Sequence, residues 1–235
     1  MTSLVEGDLT HGIPRAPVRL FHAGAVAQPP HVTTEPGRDD RFRVLVVCTG
    51  NICRSPAAEL LMRSILVGRL GGREASRVEV SSAGVAAVVG APMHPLSRAQ
   101  LAPWGLDSRA ESFRGRQLDD SVVRGVDLVL GANVRHRSRV LERYPHLLDR
   151  TFALREFARL ATAADTMDLP PDLVKRGHGL VELVRSMRGT VPPADDSLPD
   201  PMGGPEQAHR DAVRLIFKAV QGIVEQLAPR AAVRR

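Results

Sequence analysis

The sequence predicts an α/β protein with a small open parallel sheet of about four strands and helices on both faces. Short apolar, β-branched runs alternate with helical patterns along the chain, which is typical of parallel strands covered by helices. The element predicted at 206–227 carries an apolar stripe with a period of about 3.6 residues, the pattern of an amphipathic helix. Of the 235 residues, 43% are apolar and 25% are charged, which is the balance of a folded globular protein.

The first predicted strand covers residues 42–47, because this run is short, apolar and rich in β-branched side chains. A helix is expected soon after it, with Ser55 as the N-cap and Pro56 at the first helical position. Parallel strands have their carboxyl ends at one edge of the sheet, where such folds hold their sites. Further strands are predicted at 78–81, 126–130 and 151–153, and further helices at about 96–104, 134–144, 180–187 and 206–227.

We predict three parts of the chain: a flexible extension over 1–40, a folded domain over 41–228 and a basic tail over 229–235. Residues 1–40 contain five prolines and four glycines and no sustained hydrophobic period, which is typical of a loose segment. Within the domain, the stretch 161–199 carries two Pro–Pro pairs and breaks the alternation of strands and helices, so we interpret it as an insertion or lid. Its helix at 180–187 has apolar residues on one face, which favours core packing over partner binding.

Composition and charge narrow the function classes. The apolar runs are far shorter than the roughly 18 residues of a membrane helix, and the first residues lack a signal-peptide pattern, so we expect a cytoplasmic protein without membrane attachment. The net charge of +6 favours anionic partners. Aromatic residues make up only 3% of the chain, which disfavours nucleic-acid binding by base stacking. The sequence leaves the oligomeric state open.

The two cysteines, Cys48 and Cys53, lie five positions apart. This spacing is not the C-x2-C of structural zinc sites, and no second cysteine pair exists, so the sequence predicts no metal site. In a cytosolic protein, cysteines this close together are more often catalytic or redox-active than structural. Three histidines of the predicted domain, His136, His146 and His209, are interpreted as surface or capping residues.

The segment Cys48-Thr-Gly-Asn-Ile-Cys-Arg54-Ser55 connects the first predicted strand to the helix that follows. A short loop that wraps into a helix N-terminus directs several backbone N–H groups at one point, which makes an anion site that fits a phosphate dianion. Arg54 can bind two phosphate oxygens in a planar fork, and the same positive surroundings are expected to lower the pKa of Cys48. The Ser55 hydroxyl can donate a hydrogen bond to the resulting thiolate. No G-K-[ST] motif is present, so a nucleotide-type phosphate loop is excluded.

The segment Val47–Pro56 resembles the signature of the low-molecular-weight protein tyrosine phosphatases of the bacterial type. The resemblance implies the phosphotyrosine phosphatase I-like α/β fold. It also implies a protein tyrosine phosphatase that needs neither metal nor cofactor and acts on a phosphorylated protein or a small phosphomonoester. The resemblance covers about 41–228 and continues through Ser82-Ala-Gly84, Arg116-Gln-Leu118, Val126–Leu130 and Asp200-Pro201.

The resemblance implies a role for each residue of the site. Cys48 is implied as the nucleophile that forms a phosphocysteine, and Arg54 as the residue that holds the phosphoryl oxygens. Asp200 is implied as the general acid, although Asp195 and Asp196 lie nearby and an Asp-Pro pair can simply start a turn. The residues implied to bind the substrate are Thr49, Gly50, Asn51, Ile52, Cys53 and Ser55.

Several positions depart from the family pattern and leave alternatives open. Met202 and Gly203 stand where one or two aromatic residues usually wall the pocket, and Phe113 replaces a histidine that often braces the phosphate loop. Relatives that hydrolyse phosphoarginine tend to have Thr at the position of Ile52, which favours the tyrosine-phosphatase type. A thiol-dependent arsenate reductase on the same fold and a phosphate-binding module with weak turnover are the alternative functions. Cys53 has two open interpretations, packing alone or reversible disulfide protection of the nucleophile.

Overall fold

A computed structural model describes residues 40–191 and 195–230. Within these ranges the strands are β1 (Phe42–Cys48), β2 (Val78–Gly84), β3 (Leu128–Gly131) and β4 (Thr151–Ala153). They form one sheet in the order β2-β1-β3-β4, and all neighbouring strands are parallel. The α-helices are α1 (Arg54–Leu70), α2 (Gly72–Ala75), α3 (Pro95–Ala99), α4 (Asp107–Ser112), α5 (Asp120–Val123), α6 (Val134–Arg143), α7 (Leu154–Ala163), α8 (Leu173–Ser186) and α9 (Glu206–Leu227). Short 3₁₀ helices lie at Ala102–Trp104 and Pro145–Arg150.

The central strand β1 is buried on both faces of the sheet. Its Val44 and Val46 pack into a core with α1, α7, α8 and α9, whereas Leu45 and Val47 pack into a second core with α6 and the turn after it. Burial of each of these side chains contributes about 1.5–3 kcal/mol relative to exposure. Helices therefore cover both faces, which confirms the predicted open parallel sheet.

The order of the strands puts the end of β1 at a switch point of the sheet. From β1 the chain crosses to β2 on one side and later to β3 on the other side. In the register, Cys48 at the end of β1 lies opposite Gly84 of β2, and Val47 lies opposite Gly131 of β3. Parallel sheets hold their ligands beyond the carboxyl ends of the strands at such a point.

The start of α1 differs from the prediction. The helix begins at Arg54, and Cys53 occupies the N-cap position, so the prediction that Ser55 caps the helix is wrong. The Ser55 hydroxyl instead contacts the Cys48 thiol and the Asn51 amide, and all three side chains are buried. The serine therefore belongs to the loop by its contacts and to the helix by its backbone.

The helix predicted at 96–104 is divided in two. The helix α3 ends at Ala99, and a separate 3₁₀ helix follows over Ala102–Trp104. Gly105 ends this second piece with a left-handed φ of 64°, a conformation that glycine adopts at little cost after the last helical residue.

The stretch 161–199 contributes to the core of the domain. It contains the end of α7 and all of α8, and α8 packs against α7, α9 and β1. Leu180 and Val184 are buried in the main core, which confirms that α8 packs inside the domain. A methyl group at Gly177 would lie 2.7 Å from the Phe42 ring, so α8 and β1 approach each other closely. A role of this stretch as a lid stays a prediction.

No helix in the described ranges is both long and apolar enough to cross a lipid bilayer. The predicted extension over 1–40 lies outside those ranges apart from Asp40, and the predicted tail over 229–235 lies outside them apart from its first two residues. The predictions for these two segments stay predictions.

Candidate active site

The loop between β1 and α1 is held in its shape by Asn51. This residue has a left-handed φ of 55°, which its short polar side chain tolerates better than most others. The side chain is fully buried, and Nδ2 donates to Ser55 Oγ at 2.8 Å and to Ser82 Oγ at 2.9 Å. Its Oδ1 accepts from the backbone N–H of Arg116 at 2.9 Å. These bonds tie the tight turn to β2 and to the segment after α4.

Cys48 and Ser55 face each other inside this loop. Cys48 Sγ and Ser55 Oγ lie 2.9 Å apart, and both residues are buried. Because the amide of Asn51 already donates to Ser55 Oγ, the serine hydroxyl can donate its own proton either to the sulfur at 2.9 Å or to Ala83 O at 3.4 Å. The geometry therefore provides a hydrogen-bond donor for a thiolate at position 48.

The loop also depends on a close approach to the end of β2. A methyl group at Gly84 would lie 2.4 Å from the carbonyl oxygen of Thr49, so no larger residue fits there unless the loop moves. The backbone N–H of Val85 donates to Cys48 O at 2.9 Å, and that of Ala86 donates to Thr49 O at 3.1 Å. The first two loop residues are thereby fixed against the neighbouring segment.

Gly50 and Ile52 are held through their backbone carbonyls. The N–H of Val88 donates to Gly50 O at 3.0 Å, and the N–H of His94 donates to Ile52 O at 2.8 Å. The segment 85–94 therefore follows the loop along its length. Val88 is half exposed in this segment, an apolar side chain beside the loop that the sequence analysis did not identify.

The loop and the N-terminal end of α1 have the groups that the predicted anion site requires. The backbone N–H groups of residues 50–53 donate to no acceptor among the described residues. They lie at the start of a helix of 17 residues, whose N-terminus carries a partial positive charge. The Arg54 side chain is 4% exposed, and its Nε has no hydrogen-bond partner in the described part of the chain. Clustered N–H donors of this kind bind oxyanions.

Asp200 lies at the loop, although 146 positions separate it from Arg54. Arg54 Nη2 and Asp200 Oδ2 are 2.6 Å apart, and the aspartate is about half exposed. The two nearby aspartates have other surroundings: Asp195 is exposed, and Asp196 forms an ion pair with Arg159 at 2.7 Å. Of these three aspartates, Asp200 is the one that contacts the loop.

A cleft of about 560 Å³ opens over Thr49 and Arg54. Its three arginines make the cleft positive, which favours an anionic ligand. No phenylalanine, tyrosine or tryptophan of the described residues lines it, in line with Met202 and Gly203 in place of the family's usual aromatic residues. The lining residues are Thr49, Arg54, Val85, Ala86, Asn133, Arg135, His136, Arg139 and Asp200.

His136 belongs to this cleft, so its interpretation as a surface or capping residue is wrong. The ring is buried, and Nε2 lies 3.0 Å from Thr49 Oγ1. Burial, together with the nearby charge of Arg54, lowers the pKa of His136 from 6.5 to about 4. The cap of α6 is Asn133, whose side chain accepts from the His136 N–H at 3.1 Å. A signal for the site existed, because position 136 follows β3 at the same sheet edge as Cys48.

The Cys53 side chain contacts Met202 and not the groups of the anion site. It is buried, and its Sγ lies 3.4 Å from Met202 Sδ. Both cysteines are free thiols, and burial raises the pKa of Cys53 to about 11.

His209 is also fully buried and stacks on His94 with ring centroids 4.6 Å apart, so its interpretation as a surface or capping residue is wrong. His146 is exposed, as predicted.

A family model described as low molecular weight phosphotyrosine protein phosphatase matches residues 43–172, which is more than half of the chain. The chain belongs to this family. The family and the fold that the sequence predicts are thereby confirmed. The matched range contains the whole loop from Cys48 to Ser55 and the cleft residue His136, whereas Asp200 lies beyond its end.

Individual relatives and solved structures of the phosphatase family extend over a larger share of the chain. A protein-arginine-phosphatase of Geobacillus stearothermophilus is 27% identical over 186 residues, which cover 79% of this chain and 96% of the relative. The low molecular weight protein-tyrosine-phosphatase Etp of Escherichia coli is 31% identical over 139 residues, which cover 59% of this chain and 86% of the relative. The structure of the YwlE arginine phosphatase from Geobacillus stearothermophilus has a TM-score of 0.57 and 26% identity, over 79% of this chain and 92% of that chain.

Proposed function

We propose that this protein hydrolyses phosphomonoesters with Cys48 as the nucleophile and Asp200 as the general acid. The observation that carries the proposal is the contact between Arg54 and Asp200, because it puts a carboxyl group at the loop that surrounds the Cys48 thiol. A nucleophilic thiol, a guanidinium and an acid around one anion site are the groups that phosphoryl transfer through a cysteine requires.

In the first step, the N–H groups of residues 50–53 and the Arg54 guanidinium bind the phosphate oxygens. The Cys48 thiolate attacks phosphorus, the bond from phosphorus to the leaving oxygen breaks, and a phosphocysteine forms. The Ser55 hydroxyl, 2.9 Å from the sulfur, stabilises the thiolate before the attack. The N–H donors stabilise the negative charge on the equatorial oxygens of the transition state.

Asp200 acts in both steps of this mechanism. In its protonated form it donates a proton to the leaving oxygen, which would otherwise depart as an anion. In the second step its carboxylate takes a proton from the water that attacks phosphorus, the sulfur–phosphorus bond breaks, and inorganic phosphate and the free Cys48 thiolate are formed. General acid–base catalysis of this kind contributes about 10²–10⁴-fold to the rate.

We propose a protein phosphotyrosine as the substrate, which agrees with the family and with the name of the Escherichia coli relative. Arg135 and Arg139 give the cleft a positive charge that suits a phosphorylated segment with acidic neighbours. Met202 is half exposed, and its thioether can pack against an aromatic ring in place of the missing aromatic wall.

Phosphoarginine is the second candidate substrate, because the relative that aligns with 79% of this chain is named a protein-arginine-phosphatase. Ile52 weighs against it, since members of the family with that activity tend to have Thr at this position. A comparison of kcat/KM on a phosphotyrosine peptide and a phosphoarginine peptide decides between the two. We expect the phosphotyrosine peptide to be preferred and Ile52→Thr to shift the ratio toward phosphoarginine.

Hydrolysis of p-nitrophenyl phosphate in the presence of a chelator tests the mechanism. We expect turnover by the wild type, none by Cys48→Ser, and a loss of at least about tenfold in Asp200→Ala. Asp195→Ala is the matched control, because Asp195 is an exposed aspartate of the same segment, and it is expected to keep wild-type turnover. Wild-type turnover by Cys48→Ser would contradict the proposal.

A wild type without turnover would support one of the alternative functions. Tight binding of inorganic phosphate without hydrolysis would favour the phosphate-binding module. Arsenate-dependent oxidation of a supplied thiol would favour the arsenate reductase.

We also propose a cytoplasmic location, because a nucleophilic thiol with a second free thiol nearby is preserved in a reducing compartment.

A further inference from the structure

A cluster of possible metal ligands lies next to the phosphate loop. Cys53, His94 and His209 each offer one ligand atom, and these three atoms lie within 4.8 Å of one another. The residues come from three separate elements, namely the N-cap of α1, the N-cap of α3 and the first turns of α9. Cys53 and His209 are buried, and His94 is half-buried. The catalytic mechanism proposed above uses none of these three side chains.

Two imidazole nitrogens of the cluster have no hydrogen-bond partner among the described residues. They are His94 Nδ1 and His209 Nε2, and both atoms are buried. Buried polar atoms without a partner are rare in folded proteins and call for an explanation. The other nitrogen of His209, Nδ1, lies 2.8 Å from Ser97 Oγ. When Nδ1–H donates to that oxygen, Nε2 carries a free lone pair, which is the arrangement found in metal-binding histidines.

We propose that Cys53, His94 and His209 bind a thiophilic transition-metal ion of the Zn²⁺ class. One thiolate and two imidazoles are ligands that zinc prefers, and zinc sites with three protein ligands leave a fourth position open. Met202 Sδ, 3.4 Å from Cys53 Sγ, adds a soft thioether to the surroundings of that position. The cluster contains no carboxylate, which disfavours hard cations such as Mg²⁺ and Ca²⁺.

The spacing of the three ligand atoms needs only a small closure around a metal ion. Ligand atoms at about 2.0–2.3 Å from a tetrahedral zinc ion lie about 3.5 Å from one another. The three atoms lie within 4.8 Å of one another, so a closure of about 1 Å is enough to reach this spacing. Because the stacked imidazole planes are only 14° apart, the two rings also have to tilt relative to each other before both lone pairs point at one ion. On binding, the Cys53 thiol releases its proton to solvent and becomes the thiolate ligand.

The test uses the full chain with Cys48→Ser, so that the proposed nucleophile cannot bind the metal and no phosphatase activity enters the result. Co²⁺ is titrated as a coloured probe, and Zn²⁺ is then added in competition. We expect one equivalent of Co²⁺, a thiolate-to-cobalt charge-transfer band, the visible bands of tetrahedral Co²⁺, and displacement by Zn²⁺. Zn²⁺ is also expected to raise the Tm, because it binds the folded chain in preference to the unfolded one.

Variants of the ligands decide whether this cluster is the site. His94→Gln and His209→Gln are each expected to weaken Co²⁺ affinity by at least about tenfold, and Cys53→Ser to abolish the charge-transfer band. His146→Gln, at an exposed histidine outside the cluster, is the matched control and is expected to bind like the parent. Circular dichroism checks that each variant is folded.

Two results would overturn the proposal. One is the absence of a thiolate band when Co²⁺ is added to the Cys48→Ser protein. The other is unchanged Co²⁺ affinity in a folded His94→Gln protein, whose half-buried position tolerates substitution even where the fully buried His209 does not.

Discussion

The guanidinium of Arg54 and the carboxylate of Asp200 form an ion pair of 2.6 Å at the phosphate loop, with the arginine buried and the aspartate half exposed. The pair joins the first residue of α1 to the segment before α9. A phosphate dianion in the loop competes with Asp200 for the Arg54 guanidinium and is also repelled by the carboxylate. Removal of the charge at position 200 should therefore have opposite effects on anion binding and on turnover.

Asp200→Asn is predicted to bind inorganic phosphate more tightly while it loses activity. Without the negative charge, Arg54 is released for the anion, and we expect the inhibition constant of phosphate to fall by about three- to tenfold. The amide cannot protonate the leaving oxygen, so kcat on an aryl phosphate is expected to fall by about 10²-fold or more. Steady-state inhibition by phosphate gives both values in one experiment.

Asp196→Asn is an informative control for this prediction. Asp196 lies in the same segment, but it pairs with Arg159 rather than with the loop. We expect its phosphate inhibition to stay at the wild-type value. A weaker inhibition of Asp200→Asn by phosphate would contradict competition between Asp200 and the anion.

Asn51 is predicted to be a main determinant of the shape of the loop. Asn51→Ala removes three side-chain hydrogen bonds from a buried position, and we expect it to lower the free energy of unfolding by about 2–4 kcal/mol. Asn51→Gly loses the same bonds but adopts the φ of 55° without strain, so it should be more stable than Asn51→Ala by about 1 kcal/mol. Urea unfolding of both variants measures the difference. Equal stability would show that the left-handed backbone has no cost there.

The sequence pattern predicts strands and helices correctly where the local pattern and the tertiary packing agree. The run 42–47 carries apolar side chains on both faces, with Arg43 as the exception, and this pattern is typical of a strand covered on both faces. The stripe at 206–227 coincides with α9. The predicted start of α1 was wrong because serine is a typical N-cap residue, whereas Ser55 makes its side-chain hydrogen bonds inside the loop.

The sequence predicted the contiguous loop of the candidate site and, through the family resemblance, the distant Asp200. The loop from Cys48 to Ser55 could be predicted because its chemistry is adjacent in sequence. The burial of His136 and His209 was not predicted, since it depends on packing between elements that are far apart along the chain, although the position of His136 after β3 was a signal for the site. The cluster of Cys53, His94 and His209 was not predicted for the same reason. The spacing of the two cysteines indicates no metal site, whereas folding brings two distant histidines beside Cys53.

Gly84 and Gly68 form a matched pair for the contact between β2 and the loop. A methyl group at Gly84 would lie 2.4 Å from Thr49 O, so Gly84→Ala is expected to displace the loop, to lower stability by about 1–3 kcal/mol and to reduce kcat. A methyl group at Gly68, on the exposed surface of α1, meets no atom within 4 Å. Gly68→Ala should therefore raise stability by about 0.5–1 kcal/mol and leave kcat unchanged. Thermal unfolding and p-nitrophenyl phosphate turnover measure both effects.

A reduced kcat in Gly84→Ala with unchanged stability would still support a contact between Gly84 and the loop. Wild-type kcat together with wild-type stability would show that the loop accommodates the methyl group. That outcome would contradict the close approach between β2 and Thr49.

His136 is predicted to make the folded protein less stable in acid. Its pKa is lowered to about 4 by burial and by the Arg54 charge, whereas the unfolded chain holds a histidine of pKa 6.5. Between these two values the unfolded chain binds a proton that the folded chain does not bind. The contribution of His136 therefore lowers the free energy of unfolding as the pH falls from 6.5 toward 4, and it is constant above 6.5.

His136→Gln is predicted to flatten this part of the pH dependence. Glutamine does not titrate, and its amide can still reach Thr49 Oγ1, which lies 3.0 Å from His136 Nε2 in the wild type. Urea unfolding at several pH values between about 7 and 4.5 should show a smaller fall in stability for the variant than for the wild type. His146→Gln, which replaces an exposed histidine, should keep the wild-type slope. Identical slopes for wild type and His136→Gln would mean that His136 takes up its proton equally in the folded and unfolded chain, and its burial beside Arg54 would then have no energetic consequence.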